Sequence, residues 1–400
     1  MLKKFHRFSL ITITSTLLFS TVGIALTEKS SSTLASSASL STSASSGQVV
    51  ASSTSTGHTT SQMQKLVKKT LEKYHLRGRV TTIENGKTVT TGYGYAWLGK
   101  KYSNTSSKVV YPTGSLSKVI TAAIMVQLIN STKHSKNPIT QNSKVSRWYP
   151  NLKNSSKITI GNLLTHTSGI TTAISTERPR SKKSTQAQAV AWTINQANYS
   201  RRDRIGTFNY TNANYIILAG IITKVTGKSF AANVKSRIIK KLGLKNTYFY
   251  SGIPKSKTDP ISYTYKNKKN YQSPAVVNAK IPTQIPGAGS LFTTPNEYMK
   301  IITNTISGKI LNQSDFKYLT NLKSASTTYS GGVYLKNSGK VVMAYGNLYG
   351  VHFANYQQIA TDGKNGIVML LNQSNDNQTK IKQAAYEILK TIKSKTFIQA

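Results

Sequence analysis

The uncharged apolar run Val119 to Ile129 follows directly on Tyr111-Pro112-Thr113-Gly114-Ser115-Leu116-Ser117-Lys118, and this junction limits the folds open to the chain. If the run is a helix, residues three apart share a face, so the Lys118 amine stands over the Ser115 hydroxyl near the helix N-terminus. A serine hydroxyl is a poor nucleophile at neutral pH, and a desolvated amine can take its proton. The helix N-terminus adds partial positive charge where an oxyanion would form. Spacing alone is a weak signal, because a chain with many serines and lysines repeats it. Ser314-Asp315-Phe316-Lys317 has the same spacing and reads as a solvated helix turn.

Two further segments add chemistry. Phe208-Asn209-Tyr210-Thr211-Asn212-Ala213-Asn214-Tyr215 precedes a second apolar run, Ile216 to Ile222, which ends at the helix-stop signal Thr226-Gly227. In a short extended loop, residues two apart point the same way, so Tyr210 and Asn212 can present a phenol and an amide to one pocket. Between the two sites lies Ile158-Thr159-Ile160-Gly161-Asn162-Leu163-Leu164-Thr165-His166-Thr167-Ser168-Gly169-Ile170.

Ser115-x-x-Lys118, then Leu163-Leu164-Thr165-His166-Thr167-Ser168-Gly169, then Tyr210-x-Asn212, in this order and at these separations, resemble the serine β-lactamase and penicillin-binding family, in its class C-like branch. Leu242-Gly243-Leu244-Lys245-Asn246-Thr247-Tyr248-Phe249 resembles the family's LGMxxTxF stretch, and Gly287-Ala288-Gly289-Ser290-Leu291-Phe292-Thr293-Thr294-Pro295 its AGGLxSTxxD stretch. The resemblance runs from about Gln64 to Ile392. It implies that Ser115 is the acylated nucleophile, Lys118 its proton partner, Tyr210 the general base and acid, and Asn212 a ligand for the substrate's amide or carbonyl. Histidine is the usual base, but the resemblance places His166 in a structural turn. The catalytic glutamate of class A enzymes has no counterpart, since no Asp or Glu occurs between Glu84 and Glu177. A tyrosine-based mechanism is favoured.

The third family motif departs from the pattern. Where the family has a strand carrying Lys or His, a small residue and Gly, the alignable stretch is Val341-Val342-Met343-Ala344-Tyr345-Gly346-Asn347-Leu348-Tyr349-Gly350, with alanine at the cation's position. Gly346 is expected to let substrate lie close to the strand backbone. The Asn347 N–H is expected to be the second oxyanion donor beside that of Ser115. Without the cation, Tyr210 loses a positive neighbour and a free substrate carboxylate loses its partner. This argues against β-lactam turnover and D-Ala-D-Ala cleavage.

Charge narrows the substrate. Fifty-three Lys and Arg face eleven Asp and Glu, a net charge of +42, and residues 1–62 hold only four basic and one acidic side chain. So basic a catalytic region concentrates polyanions. Lys3, Lys4 and Arg7 followed by the apolar run Phe8 to Leu26 read as a secretory signal or an uncleaved signal anchor over residues 1–27. Residues 28–62, dominated by Ser, Thr and Ala, read as a flexible tether, and residues 63–395 as the hydrolase domain. The chain has no cysteine, which fits a protein exported by a Gram-positive bacterium and secreted or held at its surface. The expected polyanion is then an envelope teichoic acid; export excludes a nucleic-acid partner.

The expected fold is α+β and β-lactamase/transpeptidase-like. Arg79 to Glu84 and Lys87 to Ala96 flank Asn85-Gly86, a type I′ hairpin signal. Gly366 to Leu371 has a buried-strand pattern and Thr379 to Lys393 an amphipathic one. These N- and C-terminal segments should form one antiparallel sheet with flanking helices, and Ser115 to about Gly287 a largely helical insert. Most tyrosines alternate with other strand residues and read as sheet surface. No G-x-S-x-G, H-E-x-x-H or phosphate-cradling glycine loop is present, so neither metal nor cofactor is expected.

The functional expectation is an exported serine acyl hydrolase acting on D-alanyl groups of the cell envelope. D-alanyl esters of teichoic acid are favoured, because they have no free carboxylate yet sit on a polyphosphate. In charge and in its third motif the chain resembles the teichoic-acid D-alanine esterase branch of the family. A peptidoglycan D,D-carboxypeptidase or weak β-lactamase is the alternative, favoured if Lys340 or another lysine fills the vacated position. A non-catalytic protein that binds envelope polyanions is the alternative of another class.

Overall fold

Asn85 and Gly86 both take positive φ, 50° and 82°, the twist a two-residue type I′ turn needs. Strand β1 (Arg77–Glu84) therefore folds straight back on β2 (Lys87–Tyr93). The computed structural model describes residues 57–392 apart from 172–175, 177, 201, 202, 307, 323, 325–327 and 375–377. The expected export segment 1–27, most of the tether 28–62 and residues 393–395 lie outside the described residues.

A two-strand ribbon cannot bury a face alone, and further pairing completes it. A short hairpin follows β2, β3 (Tyr95–Trp97) with β4 (Tyr102–Ser103), and then β5 (Tyr111–Pro112), which pairs with β9 (Leu291–Thr293) and through it with β6 (Tyr248–Phe249). The large sheet runs β10 (Tyr329–Ser330), β11 (Val333–Lys336), β12 (Val341–Gly346), β13 (Ala354–Ala360), β14 (Gly366–Ser374), β1, β2, each neighbour antiparallel. The two ends of the chain thus meet where β1 pairs with β14.

The expected insert is largely helical. It also holds β7 (Ser262–Lys266) and β8 (Lys269–Ala275), an antiparallel pair whose first strand adds in parallel to the end of β14. Ser-Tyr-Thr-Tyr alternates with strand period, and Asn267 and Lys268 turn at φ 52° and 58°. The tyrosines also depart from expectation. Tyr111, Tyr215, Tyr298, Tyr329 and Tyr356 are among the largest fully buried side chains. Interior acceptors make this affordable: Tyr111 donates to Asn104 Oδ1 (2.6 Å), Tyr215 to the Leu164 carbonyl (3.0 Å) and Tyr298 to the Leu116 carbonyl (2.8 Å).

The sheet separates two cores. Val80, Val341, Met343, Ile367, Met369 and Leu371 face α1 (Thr60–Lys73) and, at the other end of the chain, α10 (Gln378–Leu389). Helix α1 starts at a capping box in which Thr59 and Gln62 satisfy each other's backbone N–H. Val342, Ala344, Val368 and Leu370 on the opposite face join the larger core. That core is built on α2 (Lys118–Ser131) and α5 (Asn212–Thr226), in which Lys118 to Val126 and Asn212 to Ile222 are buried without a break. Helices buried on every side belong at a domain's centre. Around them lie α3 (Ile160–Leu164), α4 (Gln186–Tyr199), α6 (Phe230–Val234), α7 (Ile281–Gln284), α8 (Pro295–Ile306) and α9 (Gln313–Thr320). Ser314 and Lys317 are exposed on α9, as expected of a solvated turn. Among the described residues no single helix is long and apolar enough to cross a membrane.

Glu297, in the first turn of α8, locks the loop before β6. Its carboxylate accepts the Lys245 and Asn246 backbone N–H groups (both 2.9 Å) and the Thr247 hydroxyl (2.7 Å). Glu297→Ala takes the acceptor from the half-buried Asn246 N–H and the buried Thr247 hydroxyl, so stability should fall by about 2–4 kcal/mol. Urea unfolding should show a lower midpoint at an unchanged slope.

Candidate active site

Two glycines on different elements let the turn that carries Ser115 lie against the end of β12. A Cβ on Gly114, which sits at φ +53°, would be 2.5 Å from the Asn347 carbonyl oxygen and 2.7 Å from its nitrogen. A Cβ on Gly346 would be 2.2 Å from the Thr113 carbonyl oxygen. Gly346 leaves room for this turn, because Thr113 and Leu116 occupy the space a side chain would need. The contact brings the Asn347 backbone beside the Ser115 turn, a 3-10 turn over Gly114–Ser117. Tyr298 of α8 holds the turn from behind through the Leu116 carbonyl.

Within Tyr111 to Ile120, Ser115 is the one residue that is not buried. Lys118, one turn on, is 0 % exposed, and burying its amine requires partners. Its Nζ donates to Ser115 Oγ (2.9 Å), to Asn212 Oδ1 at the start of α5 (2.6 Å) and to the Ala288 carbonyl before β9 (3.0 Å). The rings of Tyr210 and Tyr215 stand 4.9 and 5.7 Å from it. Ser115, Lys118, Tyr210 and Asn212 are therefore brought together, with Ser115 and Tyr210 half-buried. Asn212, expected to bind substrate, also orients Lys118.

His166 builds the Tyr210 side of the site. The Thr211 N–H (3.3 Å) and the Asn214 side chain (2.9 Å) both reach its Nδ1. A backbone N–H can only donate, so Nδ1 is an acceptor and Nε2 carries the proton. Ser168 donates to Asn214 Oδ1 (2.6 Å), and the Asn209 N–H donates to the His166 carbonyl (2.8 Å). The imidazole lies 4.3 Å from the Tyr210 ring, with Tyr329 at 4.9 Å and Tyr215 at 5.2 Å. Burial, and then the charge of Lys118, hold its pKa well below the usual 6.5. His166 is a neutral spacer that grips the residues on either side of Tyr210. Its left-handed backbone (φ 56°) marks the turn.

The third motif keeps no cation. Ala344 is packed in the larger core, Lys340 is exposed at the turn before β12, and Lys118 is the only buried lysine among the described residues. Across the ladder from Ala344 stands Gln357, fully buried, with neither amide atom hydrogen-bonded. No motif on the sequence flags Tyr298, which reaches the Ser115 turn from a distant helix, and the Gly287–Pro295 motif holds Ala288 without showing that its carbonyl meets Lys118. Among the described residues no group of three or more His, Asp or Glu could hold a metal ion. The assembly, a half-exposed hydroxyl on a sealed amine beside a phenol, suits nucleophilic acyl transfer.

Comparison with known proteins agrees. The Beta-lactamase family model matches residues 63–391. The chain is 29% identical over 332 residues to the teichoic acid D-alanine hydrolase of Staphylococcus aureus, covering 82% of this chain and 78% of the relative. The crystal structure of FmtA from Staphylococcus aureus is similar at a TM-score of 0.68 and 27% identity, over 83% of this chain and 90% of that one. The D-amino acid amidase of Ochrobactrum anthropi SV3, complexed with D-phenylalanine, shares the fold at a TM-score of 0.67, with 18% identity over 83% of this chain and 98% of its own.

A buried neutral histidine has a definite pH signature. The unfolded chain binds a proton near pH 6.5 that the native state refuses, so stability is full above that pH and is lost below it. The limiting slope is about 1.4 kcal/mol per pH unit for one such group. His166→Asn, which tolerates left-handed backbone, should lower Tm at pH 8 and show a smaller loss between pH 6.5 and 5 than wild type. Parallel slopes would mean that His166 is not the titrating group.

Proposed function

The chain belongs to the beta-lactamase family, and from that premise we propose that it is an exported serine hydrolase that removes D-alanyl groups from the bacterial envelope, with D-alanyl esters of teichoic acid as its substrate. The observation that carries the chemistry is the 2.9 Å contact between the sealed Lys118 amine and the half-exposed Ser115 hydroxyl.

In this reading Ser115 Oγ attacks the ester carbonyl and its proton passes to Tyr210, the general base, with the Lys118 ammonium beside both. The backbone N–H groups of Ser115 and Asn347 bind the oxyanion. Tyr210 passes a proton to the departing polymer hydroxyl, leaving D-alanyl on Ser115. Water, deprotonated along the same route, resolves the acyl-enzyme to free D-alanine. His166 supports Tyr210 without moving a proton.

Two features support an ester over a peptide substrate. An ester-linked D-alanyl group presents an ammonium and no free carboxylate, so a cation at position 344 would have nothing to pair with and would repel it. Ala344 removes that repulsion. The net charge of +42 suits a substrate carried on a chain of phosphates. The similarity to a teichoic acid D-alanine hydrolase points the same way. The N-terminal signal reading, with the absence of cysteine, supports an envelope location in a Gram-positive cell.

Wild-type protein incubated with D-alanylated lipoteichoic acid should release D-alanine, and Ser115→Ala should release none. Tyr210→Phe should lower kcat by about 10²–10⁴-fold, the usual worth of a positioned acid-base group. A penicillin should leave little adduct on Ser115 by intact mass. A stable penicillin adduct with no D-alanine release would instead identify a peptidoglycan enzyme, and neither signal a binding protein.

A further inference from the structure

The β3–β4 hairpin exposes large apolar side chains at high density. Seven large hydrophobic residues are exposed among the described residues, and three of them lie here: Tyr95 (37 %), Leu98 (40 %) and Tyr102 (39 %). Alternate strand residues share a side, so Tyr95 and Trp97 face outward together while Ala96, 1 % exposed, faces in. Trp97 meets Tyr102 edge-on at 6.4 Å, Tyr95 leans on Tyr271 at 6.1 Å, and Tyr271 meets Tyr263 at 5.3 Å. Backbone contacts fix this row. The Tyr95 N–H donates to the Tyr271 hydroxyl (2.9 Å) and the Leu98 N–H to the Tyr263 hydroxyl (3.1 Å). The β3–β4 and β7–β8 hairpins thus form one aromatic shelf.

Cations sit on the same shelf. Lys100 Nζ lies 4.0 Å from the centre of the Trp97 ring, and the Arg77 guanidinium 4.6 Å from that of Tyr93. Lys101, Lys266, Lys268 and Lys269 are exposed around it. No Asp or Glu occurs between Glu84 and Glu177 or between Asp259 and Glu297, so neither hairpin carries a neutralising charge. Glu72 touches only the rim, at Tyr93.

Lysines alone attract any polyanion, and ring faces alone pack on any sugar or polyol. Both on one rigid surface fit a chain that alternates polyol with phosphate. We propose that this shelf anchors the polyol-phosphate backbone of the substrate polymer outside the Ser115 cleft and so raises the local concentration of D-alanyl esters. The choice of partner rests on the esterase reading above; the shelf's geometry does not.

The test uses the full chain, Tyr95→Ala/Tyr102→Ala and, separately, Lys100→Gln/Lys101→Gln. Binding is measured to lipoteichoic acid stripped of D-alanine and to peptidoglycan free of teichoic acid. Turnover is measured on D-alanylated lipoteichoic acid and on a small phenyl ester of D-alanine. Both variants should bind the stripped polymer about tenfold more weakly, and raise KM for the D-alanylated one by a similar factor, as expected for losing ring faces or their cations. Small-ester turnover should stay at wild type, which also reports an intact fold. Wild-type polymer binding in both variants, or equally tight binding to teichoic-acid-free peptidoglycan, would overturn the proposal. Shelf-dependent binding with no D-alanine released from either ester would leave the shelf standing and remove the esterase reading alone.

Discussion

The burial of one ammonium group organises this protein. Moving a lysine amine out of water costs several kcal/mol unless its donors are met. Lys118 meets them from three separate places: its own turn, the head of α5 and the segment before β9. Two of those partners lie 94 and 170 residues away in sequence. The site can therefore close only when α2, α5 and the segment before β9 have come together, which couples the chemistry of Ser115 to the packing of the larger core.

Close backbone approach is the second constraint. Gly114 and Gly346 face each other's neighbours across the contact between the Ser115 turn and β12, at separations no Cβ could occupy. Tyr298 braces the same turn from α8, and Glu297, the residue before it, ties the loop leading into β6. One helix end thus fixes both the nucleophile's turn and the three-stranded edge beside it. On the far side, His166 grips Asn209, Thr211 and Asn214, so that Tyr210 is held by its neighbours' backbone and by ring packing. The nucleophile and the phenol are each clamped independently, and Lys118 lies between them.

The legible part of the sequence was local. Asn85-Gly86 announces a hairpin because its turn type needs two positive φ values. Ser115 and Lys118 are legible because a helical turn brings residues three apart together whatever surrounds them. The strand 366–371 and the last helix follow from their periods. The β7–β8 pair was missed because its alternation is short and its reason for forming, an open ladder at the end of β14, lies a hundred residues downstream. The buried tyrosines read as surface for a similar cause: propensity does not show that interior acceptors await the hydroxyls of Tyr111, Tyr215 and Tyr298. Gly346 reads from the sequence as a site of close approach, and only the fold shows that the Ser115 turn is what approaches it.

By itself the sequence determined which groups are present and the order in which they come: a serine with its lysine, a tyrosine with its asparagine, an alanine where the family's motif pattern has a cation, and a large excess of positive charge. The tertiary structure alone decided their states. It made His166 a neutral acceptor by burying it beside Lys118, and left position 344 without a replacement lysine by packing it into the core. It also joined two distant hairpins into a single aromatic shelf. Periodicity acts over a few residues and is written into the chain. Burial and hydrogen-bond satisfaction are properties of what arrives from elsewhere, and only the packed fold supplies them.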